Sequence, residues 1–244
     1  YFDRPKLVRN ALYSVLNSTY ENWELVFGDD GSKYPGEPIA REILQDHLYK
    51  VRFVNSNMTT GQKLKEGIRL GYYANKEILR SDADIVVTLC DDDELVLDYL
   101  ENLNSFFEKE DCMYAYSKVH TYNPLFQSSR SIFNLSNQYN QWNGSINPVN
   151  KLDASQIAFR SLSFKEHGIR FPETTLSETH PYLINTDAGL FDQLWNAFGD
   201  CQPTNLISQY KGIHDYQLVW HKKDNAIGIS QYINRIQELA GVIL

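Results

Sequence analysis

The chain has 244 residues, 42% of them hydrophobic and 16 of them tyrosine, which is enough apolar mass for a large folded α/β unit and too much for a disordered one. Its net charge of −8 and pI near 5.2 come with no run of Lys or Arg, which excludes the basic stripe of a nucleic-acid backbone binder. Three widely spaced cysteines (Cys90, Cys112, Cys201) exclude a disulfide scaffold or zinc ribbon and fit a reducing, cytoplasmic compartment. No apolar run reaches the length of a membrane span and no signal peptide is visible; peripheral membrane contact and oligomeric state are left open.

Tyr1 stands in a segment that reads as the exit of a strand, so a further strand is expected before it. Pro5 marks a helix start, and Leu7, Val8, Ala11, Leu12, Val15 and Leu16 follow at helical spacing. The run from Trp23 to Gly28 reads as a strand stopped by Asp29-Asp30-Gly31-Ser32. A helix over Ile39–Leu48, a strand over Val51–Val54 and a long helical stretch from Thr59 to about Leu79 come next. The strand Ile85–Leu89 then runs into Cys90-Asp91-Asp92-Asp93-Glu94. Strands alternating with helices predict an α/β fold with a mostly parallel, doubly wound sheet and helices on both faces. Beyond Leu95 the spacing predicts a helix over Leu97–Phe107, a strand over Met113–His120, and an irregular region rich in Asn, Ser and aromatics from Tyr122 to Leu152 with short antiparallel strands. A helix over Asp187–Phe198 capped by Gly199 and an amphipathic tail over Ile229–Leu244 complete the reading.

Three consecutive carboxylates at the C-terminal end of a buried strand repel one another unless a cation holds them, and a divalent metal is the usual answer. Hard oxygen ligands suit Mg²⁺ or Mn²⁺, which in turn suits a diphosphate. The ordinary alternative is a solvated loop whose carboxylates favour a helix N-terminus, a role open to Glu94 and Asp98 as well. Asp29-Asp30-Gly31-Ser32 alone reads as a turn; paired with a second acidic strand end in one α/β pattern, it reads as a clamp for a base and ribose.

The segments Tyr1-Phe2-Asp3-Arg4-Pro5, Ala11 through Val26, and Asp29-Asp30-Gly31-Ser32 closely resemble the opening of family 2 glycosyltransferases. Thr60-Gly61, Ala74-Asn75 and Leu89-Cys90-Asp91-Asp92-Asp93 are similar to that family's next two signatures; the likeness is dense over residues 1–110 and thin beyond. The resemblance implies a GT-A fold, a nucleotide-sugar-binding half at 1–110, an acceptor-binding half of the same domain at 111–244, and a nucleotide diphosphate sugar as donor, commonly a UDP-sugar. It implies a nucleotide-binding set of Tyr1, Asp3, Arg4, Asp30, Gly31, Thr60, Gly61, Asn75 and Asp91–Asp93, with Tyr1 and Asp30 beside the base. Asp91, Asp92 and Asp93 resemble the DxD element that holds ribose and Mn²⁺ or Mg²⁺. The commonest family pattern has Asp where Cys90 stands, which would make Asp92 the metal ligand and Asp91 its flank. Read literally as Asp-x-Asp, the pair is Asp91 and Asp93.

Transfer needs the leaving diphosphate neutralised and the acceptor hydroxyl deprotonated, the latter by a carboxylate. Inverting relatives keep that base in the second half, at a place resembled here by Asn185-Thr186-Asp187-Ala188-Gly189, with Thr186 where a Glu is common. Asp187 is the candidate base, against the alternative of an N-terminal helix carboxylate; Glu178 and Asp192 are substitutes. His221 or His214 is a candidate to complete the metal. Trp142, with Glu178, is assigned to the acceptor; Tyr139 and Trp195 are further aromatic candidates, core packing being the stronger role for Trp195. The reading is thus a metal-dependent, inverting glycosyltransferase acting on a hydroxyl of a glycan, lipid or protein. Its rivals are a sugar-phosphate nucleotidyltransferase, which would want a Gly-rich basic loop absent from residues 1–35, and a non-catalytic glycan-binding module.

Overall fold

Helix α1 (Leu7–Leu16) turns Leu7, Val8, Ala11, Leu12 and Val15 onto one buried stripe, as the i, i+3, i+4 spacing requires. The computed structural model describes residues 1, 3–59, 62, 70–122, 147–148, 152–173 and 186–212. Strand β1 (Leu25–Asp29) leads to α2 (Glu37–Leu44), which carries Pro38 in its first turn, where a missing N–H costs nothing. The expected helix to Leu48 is two pieces, since α2 tightens into a 3₁₀ segment over Gln45–Lys50 before β2 (Val51–Asn55). Then come α3 (Leu70–Arg80), β3 (Ile85–Val87), β4 (Glu94–Leu95) and α4 (Tyr99–Lys109). Strand β3 ends two residues earlier than expected, and Glu94 opens a two-residue strand, not a helix. The second half contributes β5 (Tyr114–Tyr122), a 3₁₀ turn at Ala154–Gln156, β6 (Ile157–Arg160), the one-turn α5 (Leu162–Lys165), α6 (Thr186–Phe198) and β7 (Gln202–Gly212).

Strands β1 and β2 pair in parallel, and β3-β6-β5-β7-β4 form a second sheet in that order. Within it β5 and β7 run parallel, while β3–β6, β5–β6 and β4–β7 are antiparallel. The two parallel ladders carry more paired residues than the three antiparallel ones, as the mostly parallel expectation requires. The backbone of Tyr1 adds one parallel-type rung on the other edge of β1: its amino group donates to the Gly28 carbonyl at 2.7 Å and its carbonyl accepts the Asp30 N–H at 3.0 Å.

Alternation along the strands shows helices on both faces of the second sheet. Val86, Tyr114, Ile157 and Phe159 point to one side and pack with Ile78 of α3 and Leu190, Phe191 and Leu194 of α6. Their neighbours Ile85, Val87, Ala115 and Ala158 point to the other and pack with Tyr99, Leu103 and Phe107 of α4. The first sheet has its own cluster, Phe27 against Val8 and Leu12 of α1 and Ala40, Ile43 and Leu44 of α2. Helix α6 ends where Gly199, at φ +73°, donates to the Trp195 carbonyl at 2.9 Å, the left-handed cap expected from the sequence.

Candidate active site

The first acidic tip is organised by backbone N–H groups. Asp29 is buried; one carboxylate oxygen accepts the Ser32 N–H at 2.9 Å and the other the Gly36 N–H at 2.9 Å. Gly31 adopts φ +67°, and a Cβ there would overlap the Met58 carbonyl oxygen, so the turn admits glycine alone without strain. Of the two aspartates, Asp29 is therefore the one that builds the turn, and Asp30 follows it at the tip.

Residues Tyr1 to Arg4 carry contact from this turn to the second acidic tip. The Tyr1 hydroxyl donates to the Tyr34 carbonyl at 2.9 Å, and its ring meets Phe27 at 6.0 Å between centroids. Burial, then the carboxylates of Asp3, Asp29 and Asp91, push the Tyr1 phenol well above its ordinary value. The Asp3 N–H donates to Ser32 Oγ at 3.2 Å, and its carboxylate accepts the Tyr34 N–H at 2.9 Å. Arg4 then reaches the turn after β3: Nε donates to Asp91 Oδ2 at 3.2 Å, a terminal nitrogen engages Asp91 Oδ1, and the other donates to Asp92 Oδ2 at 2.6 Å. Three residues of chain span at most about 11 Å, so the two tips lie at one edge of the molecule.

The acidic turn closes with the Asp93 N–H donating to the Cys90 carbonyl at 3.2 Å. Asp91 and Asp92 are buried and Asp93 is fully so. The cationic partners that three such carboxylates require are in part residues of the chain itself. Arg4 holds Asp91 and Asp92, and Lys211 of β7 lies with Nζ 3.5 Å from Asp93 Oδ2 and 3.1 Å from Asp153 Oδ2. Like-charge repulsion thus has an internal answer besides the metal expected from the sequence. Burial would lower the Lys211 ammonium, but Asp153 and Asp93 outweigh it and hold it above its ordinary value. Burial would raise Asp153; Lys211 and the Ser155 hydrogen bonds prevail and keep it below the usual carboxylate range. Burial, and then Asp93, raise the Cys90 thiol well above normal, so it is protonated at neutral pH.

Hydrogen bonds from side chains and backbone pin this turn from both sides. Ser14 Oγ accepts the Leu95 N–H at 2.8 Å, and the Ser208 carbonyl accepts the Val96 N–H at 3.0 Å. Gln209 donates to the Thr88 carbonyl, and Thr88 Oγ1 to the Ala154 carbonyl at 2.6 Å. One ligand atom each from Cys90, Asp92 and Asp93 lies within 4.8 Å of the other two, a set able to converge on one cation. Two carboxylates in this arrangement fit Mn²⁺ or Mg²⁺, which take the rest of their shell from water and phosphate.

Other candidates lie apart from this cluster or serve the fold. Asn75 is buried and pairs with the Phe171 backbone in both directions, donating to its carbonyl at 2.9 Å and accepting its N–H at 2.8 Å. Its amide thereby docks the segment before Pro172 against α3, a positioning job the sequence did not show. Asp187 is half-buried in the first turn of α6. Asp192 accepts from Asn147 at 2.8 Å and from Asn196 at 3.1 Å. Trp195 packs on the core, its expected role. Thr60, Gly61, Tyr139, Trp142, Glu178, His214 and His221 lie outside the described residues. Sequence reading missed Lys211 and Asp153: a lysine in a polar strand and an aspartate before a 3₁₀ turn carry no local mark of a shared ion pair.

An alternating α/β sheet with two acidic strand tips at one edge is the arrangement of a nucleotide-sugar-binding fold. The profile of "Glycosyl transferase family 2" matches residues 1–168, and the chain belongs to that family. Comparison with curated protein sequences yields no significant match. Among solved structures, Staphylococcus aureus TarS (residues 1–349) in complex with UDP-GlcNAc superposes with a TM-score of 0.63 at 13% identity, over 94% of this chain and 62% of TarS. The mannosyltransferase PcManGT from Pyrobaculum calidifontis, in complex with GDP-Man and Mn²⁺, gives a TM-score of 0.61 at 14% identity, over 98% of this chain and 61% of that one. The fold is GT-A-like, and the chain spans about three fifths of the length of these two neighbours. No helix among the described residues is long and apolar enough to cross a membrane.

Proposed function

We propose that the chain forms the catalytic region of a glycosyltransferase that moves a sugar from a nucleoside diphosphate to a hydroxyl of a glycan, lipid or protein. The observation that carries this reading is the bridge from Tyr1 to Arg4, which joins the Asp29–Ser32 turn to Asp91 and Asp92 and makes one cleft edge of two acidic tips. Tyr1 and Asp30 then flank the base, and Asp3, Arg4 and Gly31 shape the cradle for ribose and diphosphate; Thr60, Gly61 and Asn75 are assigned to the same donor set by family resemblance. Arg4 places two nitrogens on Asp91 and one on Asp92, which supports a flanking role for Asp91, with Asp92 and Asp93, beside Cys90, as the carboxylates that would hold a divalent cation. When bound, Mn²⁺ or Mg²⁺ supplies Lewis-acid stabilisation of the departing diphosphate.

The acceptor half supplies the proton chemistry. Asp187, in the first turn of α6, takes the proton from the attacking hydroxyl in a single inverting displacement. Trp142 and Glu178 are the residues that would orient the acceptor, and His221 is the residue that would complete the cation's ligands. The free cysteines are consistent with a cytoplasmic setting. The two neighbours carry different bases, one uracil and one guanine, so the donor screen must include both. Nucleotide sugars that raise the melting temperature only with Mn²⁺ identify the donor. With that donor, Asp187→Asn lowers kcat by roughly 10²–10⁴-fold with donor affinity unchanged; undiminished transfer removes Asp187 from the mechanism.

A further inference from the structure

We infer that Lys211 is a resident cation of the acidic turn that sets its affinity for a divalent metal, and that Asp153 governs how much of that charge reaches Asp93. The inference rests on the proposed function, since it concerns the same cation. Asp93 is fully buried and offers one of the three atoms able to converge on a metal. Lys211 Nζ lies 3.5 Å from Asp93 Oδ2, so the lysine already supplies positive charge where the metal would. Two cations within a few ångströms of one carboxylate in a partly desolvated site repel, and each lowers the affinity of the other.

The lysine is not left to Asp93 alone. Its ammonium is closer to Asp153 Oδ2, at 3.1 Å, than to Asp93. Asp153 is fixed by its capping box: Oδ1 accepts the Ser155 N–H at 3.1 Å and the Ser155 hydroxyl at 2.8 Å, which leaves Oδ2 directed at Lys211. The lysine is anchored through β7, whose neighbouring Gln209 is tied to Thr88 beneath the turn. Asp153 thus draws Lys211 off the metal carboxylate. A diphosphate, by bringing negative charge, accommodates lysine and metal together, so the pair makes metal binding wait for the nucleotide.

The test is Mn²⁺ binding to the full chain without nucleotide, followed by calorimetry and by the electron paramagnetic resonance signal of free Mn²⁺. Lys211→Met removes the competing charge and tightens Mn²⁺ binding by roughly tenfold or more. Asp153→Asn hands Lys211 to Asp93 and weakens it by a similar factor, and Lys211→Arg stays near wild type. A purely architectural role moves Lys211→Met and Asp153→Asn together toward weaker binding, and that result, or no change in either, overturns the inference. If Lys211→Met does not fold, Asp153→Asn decides alone: unchanged or tighter binding overturns it. A wild-type chain that binds neither Mn²⁺ nor any nucleoside diphosphate overturns the proposed function as well, whereas a wild type that binds both with variants that move together sinks this inference only.

Discussion

At the end of β1 a buried carboxylate, Asp29, is met by the backbone N–H groups of Ser32 and Gly36, whereas the turn after β3 meets its carboxylates with side-chain cations brought from both ends of the chain. The first arrangement is local and needs no other part of the molecule. The second forms only once Arg4, at the start of the chain, and Lys211, on β7, have been folded against Asp91–Asp93. Backbone donors that carry no charge of their own fix a shape; opposing side-chain charges fix a shape and also keep the turn responsive to any further cation or anion. The difference teaches that one residue type at two strand tips does two jobs, scaffolding at Asp29 and charge-balanced binding at Asp91–Asp93.

The contrast breaks most visibly by substitution at Asp29. Asp29→Ala leaves two N–H groups in a buried turn without acceptors and costs about 4 kcal/mol of stability, whatever the metal concentration. Arg4→Met leaves Asp91 and Asp92 without their shared cation and costs about 3 kcal/mol. Here Mn²⁺ restores a large part of the loss, because a second cation can stand in for the first. Thermal melts of both variants with and without Mn²⁺ check the pair, and equal Mn²⁺ responses contradict the distinction drawn between the tips.

How much of this was legible in the sequence follows from how local each signal is. The helical stripe of α1, the glycine that the Asp29–Ser32 turn demands and the Gly199 cap are set by a few adjacent residues, and they read correctly. The acidic tip was visible because three carboxylates at a strand end are costly in any setting. Its partners were not. Strand β7 buries Thr204, Ser208 and Gln209 in hydrogen bonds to Ser117 of β5, to the Ala154–Gln156 turn and to Thr88, so it shows no hydrophobic alternation to betray it. A bulge at Asn205, φ +60°, breaks its register with β5 as well. Strand β4 has two residues, too few for any period. Asn75 sits inside a family signature, yet its amide is spent on Phe171, a contact between residues 96 apart that no local pattern encodes.

The smallest expected effect sharpens the same contrast from beneath the sheet. Tyr99 is buried against Ser117, its hydroxyl 3.2 Å from Ser117 Oγ, and burial pushes the phenol up to about 12 from 10.0. The folded-state value is raised, so the unfolded chain loses this proton first as pH climbs. The contribution of Tyr99 is present in full below pH 10 and is lost as pH rises through about 12. Tyr99→Phe therefore flattens the fall in stability over that window by about 2–3 kcal/mol, a difference that denaturant titrations at pH 9 and 11.5 measure. An unchanged slope contradicts the assignment.

The most direct test of the central claim, that two acidic tips at one edge grip a diphosphate through a divalent cation, is calorimetry of UDP and GDP with Mn²⁺ and with chelator. The account predicts tighter binding of one of them with Mn²⁺, and that Asp92→Ala erases the gain while retaining the metal-free affinity. Equal affinity with and without Mn²⁺ in the wild-type chain contradicts it.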